Sequence, residues 1–357
     1  MSRATRVGLI GLIAAGVSGV PRYAASLLGA LDGVAGDYDD LRFRLVTTRA
    51  TAGTLRPASL DVRVVGGLLG SPRAGGRRVA AEQIAAATEH SDLLHFFDLT
   101  GPLFTPWRPF VTTIHDTSKP RAYKRLVQPW AARHAAAAVA VSAYARDQAV
   151  RSLGADERRI TVIHSGPGLQ LRESATDSHD DGTGYLLYVG DLTEHKNLPF
   201  LVDVFSAAGV PERLVLAGRP STGYDGLQAS IESSLARERI SVLRDVDDAR
   251  LDGLYRNAVA TVLPSRREGF GFTPLEAMAR DCPVLASDLP ALREVLGDGA
   301  MLLPIGERDA WVQGLQRIAG DETLRAALRS RGRAVAGRYS WERTARSLCE
   351  LLRSVAP

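Results

Sequence analysis

Residues 265–284 read SRREGFGFTPLEAMARDCPV, and within them EGFGFTPLE sets Glu268 and Glu276 around two glycines, two phenylalanines and a Thr-Pro step. The apolar run Val259–Leu263 lies just before this stretch and Pro283–Ala286 closes it, with a helical pattern over Pro274–Ala279 between them. Short apolar runs of this kind read as buried strands of a parallel sheet, so the stretch is one strand–loop–helix step of an α/β fold. Gly269 and Gly271 let the backbone approach a ligand closely, and carboxylates accept hydrogen bonds from sugar or ribose hydroxyls. The same residues carry a structural reading. Thr273-Pro274-Leu275-Glu276 has the pattern of a capping box, with Thr as N-cap, Pro at the first helical position and Glu at the third. Spacing leaves both readings of Glu276 open, while Glu268 and the glycines have no capping role.

Working outward, the alternation continues in both directions. Strands are expected at Val7–Ile13, Phe43–Thr47, Val62–Val65, Leu93–Phe97, Phe110–Ile114, Ala137–Val141 and Ile160–Ile163, with helices at Val20–Leu31, Arg77–Thr88 and Tyr144–Leu153. The polar, Gly-rich segment Gly166–Gly184 reads as a linker. Beyond it the scheme repeats. Strands are expected at Tyr185–Val189, Leu214–Ala217, Ile240–Leu243, Val259–Leu263, Pro283–Ala286 and Met301–Leu303. Helices fit Leu198–Ala208, Asp225–Ala236, Asp248–Asn257, Pro274–Ala279 and Leu292–Val295, and helix-rich sequence from Glu307 to Leu352 closes the chain. The fold class is α/β, with two doubly wound Rossmann-like domains. Ligands of such sheets bind outside the carboxyl ends of the strands, so a cleft fed by loops of both domains is expected.

Composition supports two globular domains in 357 residues, with 45% hydrophobic and 24% charged residues and no apolar run long enough to cross a bilayer. Cys282 and Cys349 have no metal-type spacing and fit a reducing cytoplasm. The start, MSRATRVGLIGLIAAGVSGV, resembles a short secretory signal, but RVGLIGLI also supplies the first strand of the pattern and is read that way. Of 44 basic residues 41 are Arg, and the three lysines are Lys119, Lys124 and Lys196. Residues 1–170 hold 21 Lys+Arg against 13 Asp+Glu, a balance of +8, while the remainder holds 23 against 27, or −4. A basic first half is either a solvated Arg-rich surface or one that meets an anionic partner. Nucleic acid is not expected, because no recognition module accompanies the charge.

The strand ends supply the candidate residues. GVSGVPRY (Gly16–Tyr23) follows the first strand and places glycines before a helix. His115-Asp116 follows Phe110–Ile114, where a histidine serves structure or function equally well. GDLTEHKN (Gly190–Asn197) ends with Lys196 near a helix start, where the helix dipole disfavours a cation unless an anion lies between them. Asp37-Tyr-Asp39 and Asp245-Val-Asp247 have metal-type spacing, but the first lies in a polar turn and Asp247 fits an N-cap for Asp248–Asn257, so no metal is expected.

Together, PSRREGFGFTPLEAMARDCPVLASDLPALREVLGDGAMLLP, YVGDLTEHKNLPFLVDVF, LVLAG, LDGLYRNAVATVLPS, TTIHDTS, AVSAYARDQ and GVSGVPRY resemble, in order, the motifs of glycosyltransferase family 4, in its mannosyltransferase-like branch. The resemblance implies the GT-B fold, with an acceptor-binding domain over 1–168, a linker over 169–184 and a nucleotide-sugar donor domain over 185–338. Residues 339–357 would then form a helix crossing back onto the first domain. It also implies a retaining hexosyl transfer from a nucleoside-diphosphate sugar to an acceptor hydroxyl, with no metal or other cofactor, in bacterial-type glycoconjugate or natural-product biosynthesis. By that resemblance Glu276 binds the ribose, and Glu268 with the Gly269, Phe270, Gly271, Phe272 and Thr273 backbone holds the sugar. Lys196 neutralises the departing diphosphate, with Gly190 and Gly19 beside it, while His115 faces the donor sugar and Val246 the nucleobase. The route is front-face: the acceptor attacks on the side from which the diphosphate leaves.

Three positions depart from the family pattern. Asp191 and His195 stand where Arg is common, and Cys282 replaces a glycine and is expected to be a buried small residue. Arg219, Arg266 and Arg267 are candidates to compensate the lost positive charge. These departures keep two alternatives in view, a non-catalytic sugar-nucleotide-binding paralogue and a sugar-nucleotide epimerase. The acceptor, whether saccharide, lipid-linked or small molecule, has no code in the sequence. A basic patch at Arg121, Lys124, Arg125 and Arg133 allows a cytoplasmic chain peripheral contact with the inner face of an anionic membrane.

Overall fold

The computed structural model describes residues 3–12, 19–55, 57–65, 76–105, 107–117, 124–168 and 184–357, without the side chains at 50, 54, 76–79 and 124. Most of the expected linker, residues 16–18 of the first Gly-rich loop, Lys119, Arg121 and the Lys124 side chain therefore lie outside the described residues. The chain forms two compact units, one comprising Met1–Gly166 with Ser340–Pro357 and the other Pro167–Tyr339.

In the first unit the order is β1 (Thr5–Ile10), α1 (Gly19–Val34), β2 (Leu41–Thr47), α2 (Arg49–Leu55), β3 (Asp61–Val64), α3 (Gly76–Thr88), β4 (Leu93–Phe96), β5 (Phe110–Ile114), α4 (Lys124–His134), β6 (Ala137–Ala140), α5 (Ala143–Leu153) and β7 (Ile160–Val162). Every described pairing is parallel, in the order β3-β2-β1-β4-β5-β6-β7. The order reverses between β1 and β4, which makes that point the crevice where such sheets take ligands. β4, β5 and β6 are buried along their whole length, as continuous apolar or Thr-rich runs in a parallel sheet should be. Two helices form despite weak sequence signals. α4 contains Pro129 and α2 is a seven-residue run with Gly53, both poor helix signals overridden by packing.

The second unit continues with β8 (Tyr185–Val189), α6 (Leu198–Ala208), β9 (Arg213–Ala217), α7 (Tyr224–Ser233), β10 (Ile240–Leu243), α8 (Asp248–Asn257), β11 (Ala260–Leu263), α9 (Phe272–Met278), β12 (Val284–Ser287), α10 (Pro290–Leu296), β13 (Met301–Leu303), α11 (Arg308–Gly320) and α12 (Glu322–Ala336). Its parallel sheet runs β10-β9-β8-β11-β12-β13, and the switch falls between β8 and β11. The chain then returns to the first unit in α13 (Trp341–Ser354), capped by the Ser340 side chain, which accepts from the Arg343 N–H. Trp341, Thr344, Ala345, Leu348, Cys349 and Leu352 are its buried residues, a 3-4 spacing that makes one continuous stripe. Trp341 packs edge-on to Tyr23 of α1 at 5.5 Å, Thr344 Oγ1 donates to the His164 carbonyl at 2.8 Å, and Arg353 pairs with Asp40 at 2.7 Å. Both sheets have the doubly wound parallel form of the GT-B fold.

Candidate functional site

The residues that follow β8 and β11 meet at the switch point of the second sheet. Gly190 follows β8 with a φ of +142° that suits glycine, and a Cβ on Gly218 would lie 1.8 Å from the Gly190 carbonyl oxygen. This close approach needs Gly at both strand ends. The chain then makes a 3-10 turn over Glu194–Lys196, closed by Asn197 in the left-handed conformation (φ +58°) before α6 begins. On the other side, the Arg266 N–H donates to the His195 carbonyl at 2.9 Å, tying the β11 loop to the β8 loop one residue from Lys196. That tie brings two predicted site residues together. Lys196 Nζ donates to Glu268 Oε1 at 2.6 Å, and the buried Ser265 Oγ donates to the same oxygen at 2.7 Å. Both charged side chains are mostly covered, 16% and 13% exposed. The cation that the sequence reading paired with an absent anion thus has a carboxylate partner within the protein.

Beyond Glu268 the loop tightens. Phe270 is buried against Phe272 (5.4 Å) and Tyr339 (5.8 Å), both edge-on, and Gly271 has φ +106° with Leu292 so close that a Cβ would fall 2.7 Å from it. Here the capping box is corrected. Gly271, not Thr273, occupies the N-cap position of α9, so the helix starts at Phe272 and no side chain caps it. Thr273 then lies inside the first turn, and its hydroxyl donates to the Val189 carbonyl at the end of β8, 3.2 Å away. Glu276 falls at the fifth helical position, too far along to reach the N-cap N–H.

Glu276 is instead 2% exposed and accepts from the Tyr255 hydroxyl of α8 through Oε2 at 2.8 Å. Four residues on, the fully buried Arg280 donates to the Glu276 carbonyl (3.0 Å), lies over the Tyr255 ring (5.7 Å) and pairs with the buried Asp252 at 2.6 Å. Arg256 binds the other oxygen of Asp252 at 2.6 Å. Tyr255, Asp252 and Arg280 were missed in the sequence because α8 and α9 are separate elements and nothing local marks their contact. No local signal marked them: Asp252 lies in a helix that also holds Asp248, Arg250 and Arg256, and Arg280 follows α9 beside Asp281.

The remaining predicted residues are placed as follows. Val246 is half-buried after β10, between Asp245 (φ +51°) and Asp247, whose side chain accepts from the Arg250 N–H and caps α8 as expected. Asp191 is half-buried and its carbonyl accepts from Tyr188, whose hydroxyl pKa is driven up by burial and then by the Glu268 and Asp191 charges. His195 Nδ1 lies 2.9 Å from Thr193 Oγ1, and Arg219, Arg266 and Arg267 are exposed. Cys282 is buried, as expected, and burial pushes its thiol pKa up to about 12. In the first unit, Gly19 opens α1 at an exposed position. His115 follows β5, with Nε2 2.9 Å from the Phe97 carbonyl past β4 and its ring edge-on to Tyr23 at 4.6 Å. Asp37 is engaged by Arg346 at 2.8 Å.

Two doubly wound α/β domains with charged, glycine-rich loops at the switch point define a class of two-domain, Rossmann-like enzymes. Family profiles identify the particular one: "Glycosyltransferase Family 4" matches residues 17–168 and "Glycosyl transferases group 1" matches residues 172–335. The chain belongs to glycosyltransferase family 4. It is 27% identical to the O-antigen chain mannosyltransferase RfbU of Salmonella typhimurium over 59% of this chain, and 28% identical to a phosphatidyl-myo-inositol mannosyltransferase of Mycobacterium leprae over 74% of each chain. The match spans 58% of the Salmonella protein's length, so about half of that relative is represented. The crystal structure of Anabaena HepE in complex with UDP and glucose has the same fold, with a TM-score of 0.74 and 19% identity over 98% of this chain and all of that one.

Proposed function

We propose that this chain is a retaining glycosyltransferase that moves a hexose, of the mannose type, from a nucleoside-diphosphate sugar to an acceptor hydroxyl without a metal. The observation that carries the reading is the meeting of Lys196 and Glu268 at the ends of β8 and β11, the switch point where doubly wound sheets take nucleotides. The mannosyltransferase relatives and the UDP and glucose held by HepE support the choice of donor class. Lys196 would turn from Glu268 toward the diphosphate, Glu268 would then accept hydroxyls of the sugar, and Glu276 those of the ribose. Gly19, His115 and Val246 keep the donor-side roles implied by the family motifs.

In the reaction the bond from the anomeric carbon to the diphosphate oxygen breaks. A bond from the acceptor oxygen to the same carbon forms on the same face, and the acceptor proton passes to the diphosphate. Negative charge grows on the leaving group, and a fixed cation there lowers the barrier. In the front-face reading no carboxylate is a nucleophile, so Glu268, paired to a lysine, and Glu276, paired to a tyrosine, serve as acceptors of donor hydroxyls rather than as a hydrolase dyad. The test is release of nucleoside diphosphate from a panel of donors with lipid-linked and soluble acceptors, with the product anomer read by NMR. Turnover with retained configuration is expected. Tight donor binding with no turnover of any donor would instead mark a non-catalytic paralogue, and an isomerised donor without acceptor would mark an epimerase.

A further inference from the structure

Glu268 Oε1 takes two donors at once, Lys196 Nζ at 2.6 Å and Ser265 Oγ at 2.7 Å. The two donors differ in what a bound diphosphate does to them. Lys196 is partly exposed and carries the charge that a diphosphate attracts. Ser265 is uncharged, fully buried and two residues past the end of β11. A carboxylate only accepts, so the Ser265 hydroxyl proton is committed to Glu268.

The backbone around Glu268 is held at two points. The Arg266 N–H donates to the His195 carbonyl at 2.9 Å, and the Thr273 hydroxyl donates to the Val189 carbonyl at 3.2 Å. Between them Phe270 is buried, and Gly271 lies so close to Leu292 that a Cβ would fall 2.7 Å from it. The loop is thus fixed on both sides of Glu268, and what donor binding changes is the company its carboxylate keeps.

We propose that Ser265 is a positioning residue, holding Glu268 in place while Lys196 leaves it for the diphosphate. The inference rests on the donor-side roles given to Lys196 and Glu268 under the proposed function. In the resting protein lysine and serine share Oε1. With donor bound, the place of the lysine on that oxygen passes to a hydroxyl of the transferred sugar, and the serine bond is kept. Glu268 then meets the sugar already ordered, not as a free side chain whose rotamers must be frozen in the complex. Ser265 acts through Glu268 and needs no contact of its own with sugar or diphosphate. A neutral donor suits the role, because a cation in its place would be drawn to the same diphosphate.

The experiment is single-turnover and steady-state kinetics of the full chain, with the donor and acceptor on which the wild type turns over. Ser265→Ala, Glu268→Ala and the double variant are compared, beside calorimetric titration of nucleoside diphosphate. Ser265→Ala should lower kcat by roughly tenfold or more, the scale of one hydrogen bond to a charged group. It should bind nucleoside diphosphate as tightly as the wild type, because that ligand carries no sugar for Glu268 to hold. In the Glu268→Ala background the same change should cost nothing further, since the group it positions is gone. Ser265→Cys keeps nearly the same volume with a weak donor, so it should also lose rate, and it carries the test if the alanine variant melts early. Three results overturn the inference: a wild-type kcat in Ser265→Ala, an equal loss of rate with and without Glu268, or nucleoside diphosphate affinity lost together with rate, which would make Ser265 a residue of loop shape. Wild-type turnover in Glu268→Ala is a different failure, since it removes the reading of Glu268 itself and this inference with it.

Discussion

The two sheets share one strand order through their first six strands, yet they differ in what they place at the switch point. In the second unit the ends of β8 and β11 hold a charged pair, Lys196 with Glu268, and beside it a carboxylate, Glu276, held by Tyr255. In the first unit residues 13–18 after β1 lie outside the described residues, and β4 is followed by the buried Asp98, whose Oδ1 accepts from the Leu99 N–H at 2.8 Å. His95 of β4 is fully buried, its Nε2 3.2 Å from Thr113 Oγ1 and its Nδ1 without a hydrogen-bond partner, and desolvation lowers its pKa to about 3. Tyr23 is buried against Thr113 and the His115 ring, and burial raises its pKa. One topology therefore carries a Lys–Glu ion pair at the strand ends of one unit and a buried, neutral histidine within the strands of the other. Function lives in the residues grafted on the strand ends, not in the sheet.

The comparison breaks most sharply at Lys196. Lys196→Ala should lower kcat by about 10²–10³-fold, the usual effect of removing one preorganised charge from a leaving group. Single-turnover kinetics would check this, and a wild-type kcat would erase the distinction between the units. The next effect is on stability and belongs to the first unit. The unfolded histidine takes up its proton near 6.5, whereas folded His95 does so only near 3. Between these values the unfolded chain binds more protons, so stability falls as pH drops through that window. Thermal melts of the wild type and His95→Asn should show the acid loss reduced in the variant; parallel curves would mean that His95 does not carry it. The smallest effect is expected at Tyr255→Phe, which keeps the ring over Arg280 but removes the donor to Glu276. Donor KM should rise several-fold with kcat little changed, as one neutral hydrogen bond contributes about 0.5–1.5 kcal/mol. An unchanged KM would make Tyr255 a packing residue only.

Much of the fold was legible because parallel strands are short apolar runs: β5, β8, β10 and β13 begin and end where the sequence predicted. The loops were legible as loops, through Gly190, Gly269 and Gly271. What sequence could not show was partnership. Lys196 and Glu268 are 72 residues apart and meet through the Arg266–His195 backbone contact. Tyr255 reaches Glu276 from another helix. The capping box failed for a local reason, since a glycine with positive φ started α9 two residues before the sequence pattern did. Once Thr273 lost the N-cap position, Glu276 was released from the role that pattern gave it.

Glu276 is therefore where the account is most exposed. The decisive measurement is calorimetric titration of nucleoside diphosphate into wild type and Glu276→Gln, with melting curves of both. Affinity weakened by about tenfold or more, the effect of losing a charged acceptor for ribose hydroxyls, with a folded and stable variant is the predicted result. Unchanged affinity with lost stability would contradict it and return Glu276 to the buried Tyr255–Arg280 network as a purely structural group.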